Sequence, residues 1–237
     1  MVGDAWVGTS GWAYAEWIGS FYPKGTTAAR MLRHYATQLS TVEAHSTYRR
    51  LPSASTLERW GAQVPGAFRF APKAHIGITH RRDLDGLDDR MGAFFAAVTS
   101  LGSRLGPVLF QLPHQRPDLT RLDALLAALP AGIAAAFELG PAWLTGDEGA
   151  DVLDRLTERG ATVALVETDT RPASDVDVGP FTYARLRRSS YSGAELDRWG
   201  ERLAKLQADG RDLYVYLRHD DDGQAPGYAR QLMERLA

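Results

Sequence analysis

Short apolar runs recur along the chain and alternate with longer segments whose apolar residues return every three or four positions. The runs lie at 5–9, 41–46, 68–73, 107–112, 134–139, 162–169, 181–187 and 212–219, and each is short enough to be a strand. Helical periodicity fills the gaps at 26–39, from Ser55 onward, and at 90–101, 119–129, 147–159, 195–208 and 228–236. Ser55-Thr56-Leu57-Glu58 has capping-box spacing, and Gly160 and Gly210 stand where glycine ends a helix. The segment 170–180, rich in Pro, Gly, Asp and Ser, predicts a loop where a helix is due. Strands alternating with helices imply a mostly parallel sheet under a helical cover. The pattern predicts an α/β fold, a TIM-type (β/α)8-like barrel of eight strands and about seven helices, in one domain over 1–237. The competing architecture is an open doubly wound sheet. It would carry a glycine-rich phosphate fingerprint after the first strand, and Gly8-Thr9-Ser10-Gly11-Trp12 has neither that spacing nor a P-loop.

Within strands, successive side chains point to opposite faces. The outer face of a barrel meets helices and should be apolar, so the inner face follows by subtraction. Val42 and Ala44 stand against Glu43 and His45, Phe68 and Phe70 against Arg69 and Lys73, and Phe110 and Leu112 against Gln111. Phe137 and Leu139 oppose Glu138, Ala184 and Leu186 oppose Tyr183, Arg185 and Arg187, and Val215 and Leu217 oppose Tyr216 and Arg218. Glu167 or Asp169 is a further candidate. These polar residues concentrate toward the C-terminal ends of their strands, the face that carries the site in barrel enzymes. Buried charges that only satisfy one another are the competing explanation, but the cations outnumber the carboxylates. Arginine forks match phosphate and carboxylate geometry.

Length and composition change little. A chain of 237 residues with net charge -2 buries a core unaided and has no global attraction to nucleic acid or anionic membrane. It has no cysteine, which removes disulfides and thiolate chemistry and suits a cytoplasmic protein. The first residues lack a basic flank and an apolar core, so no signal peptide is expected, and no apolar run is long enough to span a membrane. Trp12, Tyr14, Trp17, Phe21 and Tyr22 crowd the loop after the first strand, with Tyr48 and Trp143 after the second and fifth. Such a wall stacks on a sugar or base; for Trp17 and Phe21 the alternative is a small core beneath the loop. His34 reads as a surface residue, and His75, His80 and His114 as loop residues near strand ends.

These segments, in order along nearly the whole chain, resemble the YecE-like family (domain of unknown function 72). The matching stretches are Gly8-Thr9-Ser10-Gly11-Trp12, Val42-Glu43 with Ser46-Thr47-Tyr48, and Phe68-Arg69-Phe70 with Lys73. Tyr14 to Tyr22-Pro23, Leu51-Pro52, Leu105-Gly106-Pro107 with Gln111-Leu112-Pro113, Phe137-Glu138 with Trp143, and Tyr183 with Arg185-Leu186 complete them. The resemblance implies a TIM-type barrel and no particular activity. It maps the family's recurrent polar residues to Ser10, Glu43, Lys73, Gln111, Glu138 and Arg185. The chain departs from the family pattern at His45, at Leu139-Gly140, at Arg187-Arg188 and at Leu217-Arg218-His219, and keeps Asp220. Loss of an arginine after strand five and gain of arginines on strands seven and eight would keep the pocket's charge while changing its shape.

Three functional readings follow. The first is an enzyme for a small phosphorylated or carboxylated, sugar-like substrate. Glu43 or Glu138 would act as general base, with Lys73 as acid, electrostatic stabiliser or Schiff-base amine. Substrate would meet Ser10, Trp12, Tyr14, His45, Tyr48, Gln111, Trp143, Tyr183, Arg185, Arg187 and Arg218, with no cofactor. The second is a divalent-metal enzyme using Glu43, His45, Glu138, Glu167, Asp169 and His219, disfavoured by the nearby arginines and the lack of a His-x-His pair. The third is a binding module for nucleic acid or a protein partner, disfavoured by charges that point inward. Ser10 lacks the elbow of a serine hydrolase.

Overall fold

The computed structural model describes every residue except 82, 114–116, 219–221 and 237, together with the side chain of residue 147. Its strands are β1 (Ala5–Ser10), β2 (Thr41–Ala44), β3 (Arg69–Pro72), β4 (Val108–Gln111), β5 (Ala135–Glu138), β6 (Thr162–Val163), β7 (Leu165–Glu167), β8 (Phe181–Leu186) and β9 (Asp212–Leu217). The helices are α1 (Ala28–Tyr35), α2 (Ser46–Arg49), α3 (Ala54–Gly61), α4 (Ile76–Thr79), α5 (Leu87–Val98), α6 (Leu119–Ala127), α7 (Gly146–Arg159), α8 (Gly193–Ala208) and α9 (Ala225–Leu236). Every laddered pair is parallel.

The strands form two sheets, β3-β2-β1-β9-β8-β7 and β4-β5-β6. The single eight-stranded barrel read from the sequence is corrected in two respects. The sixth strand is two short ones, because the chain changes partner at Ala164. Residues 162 and 163 pair with β5, the Ala164 amide still donates to Phe137 O at 2.9 Å, and from Leu165 onward the pairing is with β8. Between β3 and β4, pairing thins to isolated parallel bridges at Phe70–Leu105 and Lys73–Leu109. The Ala74 amide donates to Leu109 O and the Gly106 amide to Phe70 O, each at 2.8 Å.

The helix-free segment after β7 is as expected: residues 168–180 carry no helix. Two single-turn helices, α2 and α4, were not expected. The second predicted helix begins earlier than its reading, with Ser53 rather than Ser55 as cap, accepting from the Thr56 amide. The reciprocal capping box lies instead at Ser192 and Glu195, opening α8. Gly160 does end α7, in the left-handed conformation at φ 67°.

Alternation along the strands separates two apolar layers. The larger contains Val42, Phe70, Phe110, Phe137, Ala184 and Val215 with the helices' buried faces. The smaller is built from the opposite strand faces, Ala71, Leu109, Ala136, Ala164, Val166, Phe181, Tyr183 and Tyr216, and so draws on both sheets. Among the described residues, no helix is long and apolar enough to cross a membrane.

Candidate functional site

The inner faces of β1, β2, β3, β4, β5 and β8 end in polar residues that meet. Glu43 is fully buried and is the hub. Its carboxylate accepts from Ser10 Oγ at 2.9 Å, from Tyr183 Oη at 2.8 Å and from Arg185 Nη2 at 2.8 Å, and it contacts His45 Nε2. Arg185 Nη1 donates to Glu138, so one buried guanidinium bridges two buried carboxylates. Lys73 Nζ donates to Gln111 Oε1, and Gln111 Nε2 donates to Glu138 Oε1 at 2.8 Å. A relay therefore runs from Lys73 through Gln111 to Glu138. Above it, Arg187 Nη1 donates to Ser10 Oγ at 3.3 Å, and Tyr14 Oη donates to the Ser10 carbonyl at 2.7 Å.

Electrostatics sorts these groups. Burial alone would raise the Glu43 carboxyl, but Arg185, then His45 and Arg187, outweigh it and hold the pKa well below the usual carboxylate range. Glu138 is lowered in the same way, chiefly by Arg185 against the pull of burial. Burial, aided by Arg185 and Arg187, overcomes Glu43 and lowers His45, which leaves a neutral imidazole at neutral pH. Burial and the Arg185 charge lower Lys73 from 10.5 to about 8. Its ammonium lies 4.1 Å from the centre of the Tyr48 ring. Burial, then Arg185, also lowers Arg187. Neither Lys73 nor Arg187 has a carboxylate partner among the described residues. The buried Nε of Arg185 likewise has no hydrogen-bond partner there.

Beside His45 opens a cavity of about 320 Å³ lined by Gly11, Trp12, Ala13, Tyr14, His45, Ser46 and Trp60. Trp12 and Trp60 meet edge to face there, with centroids 4.8 Å apart. A larger cavity, about 480 Å³, lies at the opposite ends of the strands around Trp6, Phe68 and Arg69. Its ionisable linings, Asp4 and Arg69, are not buried, so no desolvated reactive group faces it. The smaller cavity, touching the charged cluster, is the better candidate despite its size.

Several expectations are corrected. Arg69 faces inward but at the wrong end, where its guanidinium lies 5.1 Å from the centre of the Trp6 ring. Arg218, one residue beyond β9, is exposed but lies at the cluster's end of the strands, where its charge acts on Arg187. Glu167 points outward and accepts from Trp199 Nε1 at 2.9 Å on α8, because Ala164 and Val166 take the inner positions. Asp169 is exposed and accepts from the Ser189 amide at 2.8 Å. Trp143 lies in the core, donating to Pro113 O at 3.0 Å. Trp17, Tyr22 and Phe21 form the small core beneath the loop, which His34 joins by edge contacts with both Phe21 and Tyr22. His75 caps α4 by accepting from the Gly77 amide, while His80 contacts Thr79 Oγ1 at 2.8 Å. His114, His219 and Asp220 lie outside the described residues. Of the six candidate metal ligands, Glu43, His45 and Glu138 share the cluster with Arg185 among them. Among the described residues, no group of three or more His, Asp or Glu is arranged to hold a metal. Sequence reading missed Trp60, which lines the cavity from α3 one position away from that helix's buried Gly61; only its indole size signalled it.

A family model for the protein of unknown function DUF72 matches residues 6–237. The chain is 22% identical to the UPF0759 protein YunF of Bacillus subtilis over 268 residues, covering 98% of this chain and 94% of YunF. It is 28% identical over 171 residues to the UPF0759 protein YecE of Escherichia coli, covering 70% of this chain and 60% of YecE. A solved DUF72 family protein from Thermotoga maritima superposes with TM-score 0.83 at 22% identity, covering 98% of this chain and 99% of that one. Sph3 of Aspergillus clavatus, solved in complex with GalNAc, superposes with TM-score 0.51 at 13% identity, covering 97% of this chain and 98% of that one.

Proposed function

The chain belongs to the DUF72 family, and from that premise and the geometry of its buried polar cluster we propose that it is an enzyme acting on a small anionic, sugar-like substrate. In this reading the two sheets wrap into one barrel-like wall, which the inner apolar layer shared by both sheets supports. The substrate's ring lies in the cavity between Trp12, Tyr14 and Trp60, where an indole face stacks on a sugar. Its phosphate or carboxylate meets Arg187 and Lys73. The observation that carries the proposal is that neither of these two desolvated cations forms an ion pair among the described residues, whereas Arg185 is matched by Glu43 and Glu138. A desolvated cation without an ion pair is costly, and an anionic ligand relieves that cost.

The roles divide accordingly. Glu43 and Glu138 are too acidic to be strong bases and serve to fix Arg185, Ser10 and Gln111. Lys73 is the group that changes charge near neutral pH and carries the proton transfer. His45, neutral, links cluster and cavity. Cations set inside the fold suit a small molecule better than a nucleic-acid strand. Sph3 shares the fold and is solved with a bound sugar, which is compatible with this substrate class.

Thermal shift against paired probes, glucose 6-phosphate and gluconate beside uncharged glucose, tests the reading. A ligand that binds only the native state raises Tm. The anionic probes should raise Tm and glucose should not. Arg187→Ala should weaken the anionic response by about tenfold or more in Kd, corresponding to loss of one charge-assisted hydrogen bond, while the unliganded Tm stays within a degree or two. Equal responses to charged and uncharged probes would overturn the proposal.

A further inference from the structure

Of the 27 basic residues in the chain, only Lys24, Lys73 and Lys205 are lysines. Lys24 and Lys205 are exposed, and Lys73 is the buried one. Arginine serves as a permanent cation everywhere else. Lysine differs in having an amine that can lose its proton and become a nucleophile. Lys73 is placed for that difference to matter. It stands at the end of β3, packed on the Tyr48 ring, with Nζ held by a neutral amide oxygen rather than a carboxylate. Of the fixed charges around it, Arg185 and Arg187 disfavour an ammonium and Glu43 and Glu138 favour one, and with burial added the balance falls against the ammonium.

We infer that Lys73 forms an imine with an aldehyde or ketone carbonyl of the substrate; the inference rests on the substrate reading above and narrows it to carbonyl compounds, such as open-chain sugar phosphates. The neutral amine's lone pair attacks the carbonyl carbon, and the carbonyl π pair moves to oxygen. Transfer of the amine proton to that oxygen through solvent gives a carbinolamine. Protonation of its hydroxyl and departure of water leave a protonated C=N bond, so one water is released and nothing is oxidised or reduced. The resulting cation occupies the place of the ammonium, beside Gln111 Oε1 and near Glu138, and draws electrons from the adjacent carbon. The geometry therefore points to carbon–hydrogen or carbon–carbon bond chemistry next to a carbonyl.

The scarcity of lysine makes the test direct. The whole chain is incubated near neutral pH with glycolaldehyde phosphate and sodium cyanoborohydride, which reduces an imine to a stable secondary amine, and adducts are mapped by peptide mass spectrometry. An amine with pKa about 8 has a neutral fraction at neutral pH over a hundredfold that of an ordinary lysine. Lys73 should therefore label at least about tenfold faster than Lys24 or Lys205, even after an accessibility loss. Lys73→Arg, checked for folding by circular dichroism, should lose the fast phase. Labelling of Lys73 no faster than of the two exposed lysines overturns the inference, as does a fast phase that survives Lys73→Arg. Unphosphorylated glycolaldehyde separates the two readings. Fast labelling of Lys73 by both probes alike keeps the imine and removes the anionic substrate. Stabilisation by the phosphorylated probe without Lys73 labelling removes the imine and keeps the anionic substrate.

Discussion

Arg185 shows how much one side chain holds in place. Its two amino nitrogens reach carboxylates on β2 and β5, strands that lie in different sheets. Replacing it by methionine takes from buried Glu43 and Glu138 the guanidinium that bridges them, with Arg187 and Lys73 remaining nearby. Stranding one partner of a buried pair costs about 3–5 kcal/mol, and urea unfolding of Arg185→Met should show a loss of that size. The acid limb of wild-type stability has the same origin. Both carboxyls have folded pKa values below their ordinary 4.5. The stability they contribute is complete above that pH and is lost as pH falls through the folded values, where the unfolded chain binds more protons. Lys73 gives a slope of the same sign at the alkaline end. Lowered from 10.5 to about 8, it favours the folded state increasingly as pH rises across that interval. Urea midpoints from about pH 3 to 10 should therefore fall steeply at the acid end, and Arg185→Met should flatten that fall.

At the scale of elements, the strand ends depend on a helix. Tyr35, buried on α1, inserts its hydroxyl between β1 and β2, accepting from the Thr9 amide at 2.8 Å and donating to Thr41 O at 2.9 Å. Ser10 and Glu43 lie in register one step further along the same pair. Tyr35→Phe leaves a buried donor and acceptor unpaired, at about 1–3 kcal/mol, and should lower Tm while leaving far-UV circular dichroism unchanged. Strand parity made Glu43, Lys73, Gln111, Glu138 and Arg185 readable before any coordinates, because a two-residue repeat and an apolar outer face leave one side for polar groups. Parity says which face a residue occupies, not how far along the axis it stands. Arg69 therefore had the expected phase and the wrong height, whereas Arg218 stands at the cluster's end, near Arg187, but exposed beyond its strand. Glu167 had the height, in register with Leu186, but not the phase, since the change of partner at Ala164 sets Val166 inward. His45 reaches the cluster by another route. The chain leaves the strand at Ala44 and turns into α2, and the imidazole folds back on Glu43.

Taken whole, the molecule sorts its chemistry by direction. One end of the strands collects the buried charge, and the other carries a cavity of about 480 Å³ without a buried ionisable group. The bulk composition could not show this, since the net charge of -2 averages over both ends. The alternation of strand and helix announced the α/β class, and the departure of β6 and β7 from a single strand was invisible because Thr162–Glu167 is apolar throughout except at its ends.

The meeting of β3 with β4 has a mechanical consequence. It is stitched by isolated bridges where other neighbours share ladders, so thermal breathing should begin there, with the amides of Ala74 and Gly106 exchanging with deuterium sooner than those within β8 and β9. Lys73 and Gln111 sit on opposite lips of that line. Parting of that line would free the amine from its amide tether, so the exchange rate at this seam reports how often the lysine is unleashed.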